Sequence, residues 1–209
     1  MLVYHFLNSR YGLEALREGR LKISRIMDLN DPFEFLGVDL ANREVRRALK
    51  EEKERLSTER GILCFSKSWR NPVLWSHYAD RHRGLCLGFE IPRRLLEPVD
   101  YVDTRWPVPA RPDLEFVKRL LFTKFCHWQY EQEWRAFVNL ETEIGGHYFM
   151  PFSNDLQPRY VIVGDQSSIT RAEVARAVKE LSWKVTVFKA RAAFRSFDVV
   201  RNRSGSMWA

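Results

Sequence analysis

Apolar and polar residues alternate from Leu2 to Phe6 with the two-residue period of a strand, and Asn8-Ser9 then offers a cap for a helix that ends at Gly19. Leu21 to Ser24 alternates again. In Asn30-Asp31-Pro32-Phe33-Glu34, Asp31 is placed to cap a helix, Pro32 to fill its first position, and Glu34 to reach back to the cap amide. From Ala41 to Leu56, Val45, Leu49 and Leu56 form one narrow stripe among Arg, Glu and Lys, the pattern of a surface helix with a solvated outer face. Gly61 precedes a buried strand, Ile62 to Lys67. Asn71-Pro72 opens a short helix that runs to about Arg81, Gly84 stops it, and Leu85 to Ile91 is the next strand.

Trp106-Pro107-Val108-Pro109-Ala110-Arg111-Pro112 sustains neither helix nor central strand, which makes it an extended loop and the one internal boundary the pattern offers. A helix is expected from Asp113 to about His127, with Phe116, Leu120 and Lys124 on one line, and the longest strand from Tyr130 to Leu140. Gly145-Gly146 turns the chain into His147 to Phe152. The remainder reads as strand Tyr160 to Val163, helix Arg171 to Leu181, and strands Lys184 to Phe188 and Ala193 to Val200. Helices and strands do not alternate regularly, so the fold class is α+β, with mixed, largely antiparallel sheets and flanking helices. Residues 1–200 are expected to form a single domain and residues 201–209 a C-terminal tail, loose from Arg203 onward.

Composition narrows the class of molecule. Hydrophobic residues make up 45% of the 209 and aromatic residues 13%, which excludes a disordered chain. The formal charge of +7 is a basic excess on a background of both signs; it suits an anionic partner and is also common without one. Cys64, Cys86 and Cys126 are odd in number and lie in apolar runs, as buried free thiols do in a reducing compartment. No apolar stretch approaches a membrane span of about 18 residues, and Met1-Leu2-Val3-Tyr4-His5-Phe6 lacks the pattern of a secretion signal. The expected location is the cytoplasm, away from membranes.

Two constellations carry candidate chemistry. On a strand, Glu131, Glu133 and Arg135 share one face, with about 7 Å between successive members. Such a row can stabilise a cationic transition state, one carboxylate beside the departing bond and the other orienting the nucleophile. A solvated strand face, with Arg135 offsetting the two charges, has the same signature. The second constellation is Cys64-Phe65-Ser66 with Trp75 through Gly84. On a helix Tyr78 and His82 share a face, as do His77 and Arg81, while His77 and His82 lie about 140° apart, too far round to share zinc. No metal site is expected. These rings suit a pocket for a flat charged ligand, or core packing by Trp75 and Tyr78 with exposed histidines. His5 points opposite to Tyr4 and Phe6, and Ser66 offers a hydroxyl at a strand end. The basic residues Arg43, Arg46, Arg47, Lys50, Arg93, Arg94, Arg105 and Arg111 are dispersed among acids without a nucleic-acid-binding signature.

Taken in order, Tyr4-His5-Phe6, Asn30 through Glu34, Cys64-Phe65-Ser66, Trp75 through Gly84, Leu87-Gly88-Phe89, and Thr123-Lys124 with Trp128 through Arg135 resemble the bacterial domain-of-unknown-function family 2971, over most of the chain. The opening strand, helix and Leu21–Ser24 strand also resemble the start of DNA-modifying ADP-ribosyltransferase toxins, and Glu131-Gln132-Glu133 is similar to the paired-glutamate strand of other ADP-ribosyltransferases. That second resemblance implies an ADP-ribosyltransferase-like fold and NAD as substrate. Glu133 would engage the nicotinamide ribose, Glu131 orient the acceptor, His5 contact a ribose and Tyr78 stack on nicotinamide. Ser66 and His77 complete the candidate cofactor-binding set. The arginine and serine-threonine-serine patterns of those enzymes are not clear here, and Tyr78 falls on an expected helix where the comparison wants a strand.

The expectation is therefore an NAD-dependent ADP-ribosyltransferase-like enzyme, a bacterial toxin or phage-defence effector, acting on a nucleic-acid or protein acceptor. The alternative is a non-catalytic nucleic-acid- or protein-binding module of a defence system, its basic surface holding the partner and its motif residues serving the fold.

Overall fold

Side-chain caps set the helix starts in the computed structural model, which describes residues 1–204 and 208. Asn8, Asn42, Asn71, Asp113 and Thr170 each accept a backbone N–H of the first turn that follows, and Thr170 with Glu173 forms a reciprocal capping box. In chain order the elements are β1 (Leu2–Leu7), α1 (Ser9–Glu18), β2 (Arg20–Arg25), α2 (Arg43–Glu59), β3 (Arg60–Ser66), α3 (Pro72–Tyr78), β4 (Leu85–Glu90), β5 (Glu97–Pro98) and β6 (Asp100–Val102). There follow α4 (Leu114–Leu121), β7 (Thr123–Phe125), β8 (Glu133–Asn139), β9 (Glu143–Ile144), β10 (His147–Pro151), β11 (Gln157–Val163), α5 (Arg171–Ala177), β12 (Thr186–Ala192) and β13 (Val199–Arg201). Single 3-10 segments cover Ile26–Asp28, Arg93–Leu95 and Cys126–Glu131.

The contacts gather into two compact units. The first holds Met1–Leu21, Phe65–Arg93 and Met150–Ala209, the second Lys22–Cys64 and Arg94–Phe149. In the first unit the strand order is β13-β12-β11-β4-β1. β1 and β11 both run antiparallel to β4, and only the β11·β12 pair there is parallel. β4 is central and buried on both faces, which is why Leu85 to Phe89 reads as a continuous apolar run. Its core includes Val3, Leu16, Trp75, Phe89, Val161 and Val174, with Phe6 edge-on to Trp75 and Phe89 edge-on to Phe152.

In the second unit β8 pairs with β3 and β5, β6 lies parallel to β7, and β9 and β10 are antiparallel neighbours. Its core gathers Ile26, Phe35, Leu49, Leu56, Ile62 and Leu120. The apolar stripe of α2 accordingly faces inward at Leu49 and Leu56, as its spacing indicates. The fold is α+β, with mixed, largely antiparallel sheets and flanking helices.

Several expected elements end elsewhere, each for a local reason. Asp31–Glu34 is a turn and not a helix start: Asp31 Oδ1 accepts the N–H of Phe33, and the Glu34 side chain turns inward. Helix α3 stops at Tyr78, because Asp80, Arg81 and His82 all take left-handed φ values, +45°, +55° and +68°. Helix α4 stops at Leu121, since Thr123 Oγ1 takes the carbonyl of Arg119 and the chain pairs with β6. Gln132, at φ +45°, breaks the strand expected from Tyr130, so β8 begins at Glu133.

The proline-rich stretch from Trp106 is a loop, but it lies within the second unit and is no boundary; Val38 and Trp106 bridge there. β12 and β13 exchange Ala193–Asp198 for a turn where strand was expected. Of the expected loose tail, Asn202 donates its N–H to Lys189 O and Trp208 Nε1 donates to Ile169 O at 2.8 Å, so those two positions are held. Residues 205–207 and 209 lie outside the described residues. Among the described residues no helix is long and apolar enough to cross a membrane.

Gly84 marks where the first unit is tightest: a Cβ there would lie 2.1 Å from the carbonyl oxygen of Leu7 and 3.0 Å from that of Ala79. Leu7 is held in the β1·β4 ladder, and the Ala79 carbonyl already accepts the N–H of Gly84 at 2.8 Å. Gly84→Ala is expected to destabilise by about 2–3 kcal/mol, whereas Gly19→Ala, at the left-handed cap of α1 with open space around it, costs about 1 kcal/mol. Urea unfolding of both variants checks the order.

Candidate functional site

Four of the sequence segments singled out above supply one buried cluster in the second unit. Arg135 on β8 is its centre, and all five of its N–H donors are used. Nε donates to Glu133 Oε1 at 2.8 Å and NH2 to Glu133 Oε2 at 3.1 Å. NH1 and NH2 donate to the two oxygens of Glu34, at 3.0 and 2.6 Å, and NH1 also reaches the carbonyl of Leu121 at 2.6 Å. Lys124 on β7 lies 2.6 Å from Glu131, 3.0 Å from Glu133 and 3.5 Å from Glu34, beneath the ring of Trp128. Every one of these charged side chains is at most about one-twentieth exposed.

The electrostatics follow from that burial. Desolvation alone would raise the Glu133 carboxyl, yet Arg135 and then Lys124 overcome it and hold the pKa at about 2. Burial opposes the charge on Arg135 and Lys124 too, and the surrounding carboxylates reverse this, so both cations are held well above their ordinary values. Burial pushes the Cys64 thiol up, with Glu133 adding to the effect, so Cys64 is a thiol here and not a nucleophile. Tyr101 is pushed up to about 12 by burial; its hydroxyl accepts the N–H of Glu133 at 2.8 Å. Glu133 thus receives Arg135 twice, Lys124 and the Cys64 thiol, which fills the roughly four acceptor positions of a carboxylate.

The two candidate catalytic carboxylates, Glu131 and Glu133, are therefore brought together, on one ammonium group. They do not arrive as alternate residues of one strand face: Glu131 ends the 3-10 segment and only Glu133 is on β8. Nor are they solvated. Sequence reasoning assigned Glu34 to a capping box and Lys124 to a helix line, and so missed two members of the cluster.

The other candidates belong to the first unit. His5 is half-buried and edge-on to Phe65 at 5.8 Å. Ser66 is buried, donating to the carbonyl of Ser68 and accepting its N–H. His77 is exposed and Tyr78 half-buried, their rings 6.0 Å apart at the end of α3. His82 does not share a helix face with Tyr78; the left-handed run carries it back to stack on Trp75 at 6.1 Å and 16°. Trp75, fully buried, donates its indole N–H to Trp69 O. The block from Trp75 to Gly84 is thus core packing that locks a strained turn, while His77 alone keeps an exposed ring.

The first unit also contains a hollow of about 480 Å³ that the sequence did not indicate. Arg171, Lys189, Arg201 and Arg203 line it with Phe188 and Trp208, and no carboxylate is among its described lining residues. Arg171 lies over the Trp208 ring at 5.2 Å and Arg201 over Phe188 at 5.0 Å. The basic residues expected to serve a partner in α2 are otherwise engaged. Arg46 NH1 donates to the carbonyls of Leu40 and Ala41, and Arg47 and Lys50 face Glu51 and Glu54 one turn on.

Arg135→Met would leave Glu34 and Glu133 buried with Lys124 but without the guanidinium they share, with an expected loss of about 3–5 kcal/mol in urea unfolding. The acid limb follows from Glu133, whose pKa falls from 4.5 to about 2 on folding. Its contribution, on the order of 3 kcal/mol, is present above pH 4.5 and lost as pH falls toward 2. Glu133→Gln should flatten that part of the stability curve; an acid limb identical to that of the native chain would refute the assignment.

Compared with protein-family models, with curated proteins and with solved structures, the chain matches none.

Proposed function

We propose that the chain is a binding module for a phosphate-bearing polymer, nucleic acid being the member of that class whose charge and aromatic bases both suit the site. One observation carries this reading: four cationic side chains and two aromatic rings line one hollow from which carboxylates are missing among the described residues. Arg171 and Arg201 each lie over an aromatic ring, and the planar fork of guanidinium N–H donors matches phosphate oxygens. Like charges gathered in one hollow repel, and a polyanion relieves that repulsion on binding.

The test is fluorescence anisotropy with a labelled mixed-sequence oligonucleotide, between about 50 and 200 mM salt. Affinity is expected to fall steeply with salt. Arg201→Glu with Arg203→Glu should weaken binding about tenfold or more and lower the salt slope by roughly one per lost phosphate contact. Glu131→Gln should bind as the native chain does. No binding at the lowest salt, or an unchanged slope in the double variant, would sink the proposal.

The second reading is the NAD-dependent ADP-ribosyltransferase-like enzyme, a toxin or phage-defence effector. What favours it is the convergence of Glu34, Lys124, Glu131 and Arg135 around Glu133. Apolar side chains of equal volume would stabilise a fold as well or better, and buried ionised groups concentrate at functional sites. Within this reading Glu133 is the anchored carboxylate, and Glu131 is the one that faces substrate. Incubation with NAD and mixed acceptors should then release nicotinamide, with Glu131→Gln lowering the rate about 100-fold while the melting curve reports folding. The absence of release from the native chain would end this reading.

A further inference from the structure

The hairpin that contributes Phe188, Lys189 and Arg201 to the hollow carries a second feature at its other end. Its turn, Ala193–Asp198, leaves Phe194 89% and Phe197 99% exposed, the most exposed large apolar side chains among the described residues. The turn is braced. Ala193 N–H donates to Asp198 O at 2.9 Å, Ser196 Oγ donates to the Asp198 carboxylate at 2.9 Å, and Arg70 reaches that carboxylate at 3.2 Å. The N–H of Val199 donates to Arg70 O at 2.8 Å, tying the turn to the segment before α3. Two rings held in water on a fixed support are an unmet apolar surface, not a fraying loop.

Charge selects the occupant. Arg191 lies over the Phe194 ring at 4.1 Å, a second guanidinium on a ring of the same hairpin, beside Arg201 over Phe188. Arg195 is exposed between the two phenylalanines, and the one carboxylate of the turn, Asp198, is already spent on Arg70 and Ser196. From Phe197 in the turn to Arg201 on β13 is four residue steps, at most about 13 Å of chain. Stacked rings interleaved with cations are what an unpaired nucleic-acid strand meets in its binding proteins, because every base offers a π-face while a duplex hides its own.

We infer that the β12–β13 hairpin binds single-stranded nucleic acid in preference to duplex, with bases stacking on Phe194 and Phe197 and the backbone passing to the cationic hollow. This rests on the phosphate-binding role of the hollow and adds the strand preference, which belongs to the tip.

The probes are a fluorescein-labelled oligothymidylate of about 20 nucleotides and a duplex of equal length, titrated at fixed salt. The native chain should favour the single strand. Phe194→Ala with Phe197→Ala should weaken the single strand about tenfold or more, leave duplex binding and the salt slope as they were, and be rescued by Phe194→Tyr with Phe197→Tyr. Both positions are exposed, so the fold should not suffer. Three results would overturn the inference: equal single-strand affinity in the alanine variant, equal weakening toward both probes, or ring-dependent binding to phosphatidylserine vesicles without ring-dependent binding to the oligothymidylate. Loss of all binding in the Arg201 and Arg203 variant, with the alanine variant unchanged, would overturn the strand preference while leaving the hollow's role intact.

Discussion

The guanidinium of Arg135 is the constraint around which the second unit is organised. A buried arginine is tolerable only if each of its N–H groups finds an acceptor, and here five do, on Glu34, Glu133 and Leu121. Those acceptors come from a turn 101 residues earlier, from the same face of β8 two residues before, and from the last turn of α4, so one planar group ties three segments together. Such a network adds little net stability over an apolar core of the same volume, but a shifted register would leave several charges buried and alone. Its consequence is a single arrangement, not a deeper energy well.

Lys124 completes the network and sets its chemical character. Three carboxylates face two cations, and the ammonium is the point on which all three converge. A carboxylate ionised down to about pH 2 with its lone pairs occupied is a counter-ion and a poor proton acceptor. The first unit pairs Arg70 with Asp198 and Arg83 with Asp80, but sets other arginines on aromatic rings. On the β12–β13 hairpin Arg191 and Arg201 lie over the rings of Phe194 and Phe188. Cations neutralised inside the molecule serve its own fold; cations left together at its surface are available to something else.

The legibility of these features in the sequence follows their range. Asn8, Asn71 and Asp113 cap helices as their spacing indicates, and β1 and β4 alternate or run apolar as their surroundings require, because each depends on neighbours within a few residues. That Glu131 and Glu133 come together is also legible, but not their geometry. That depends on Gln132 taking a left-handed φ, a conformation ordinary strand alternation excludes. Lys124 fits a helical line with Phe116 and Leu120, and only Thr123, competing for the Arg119 carbonyl, shows why the helix ends before it. The hollow was not legible at all: its cations come from an α-helix, two strands and the segment beyond β13, and no local period joins Arg171 to Trp208.

The stacked arginines bear on how a ligand would be met. A free arginine side chain has several rotatable bonds, and ordering it around a phosphate costs about 2 kcal/mol of rotamer entropy. Resting the guanidinium plane on an aromatic face removes part of that freedom before any ligand arrives, while leaving the N–H edge uncommitted to the ring. The braced turn does the same for Phe194 and Phe197, whose supports are hydrogen bonds among Ala193, Ser196, Asp198 and Arg70. Surface and support are thus ordered in advance, and preorganisation of this kind lowers the cost of association without adding contacts. Two rings held in water beside cations are a poor solution for stability alone, and the proposed partner, with phosphates and flat rings, would complete the hairpin.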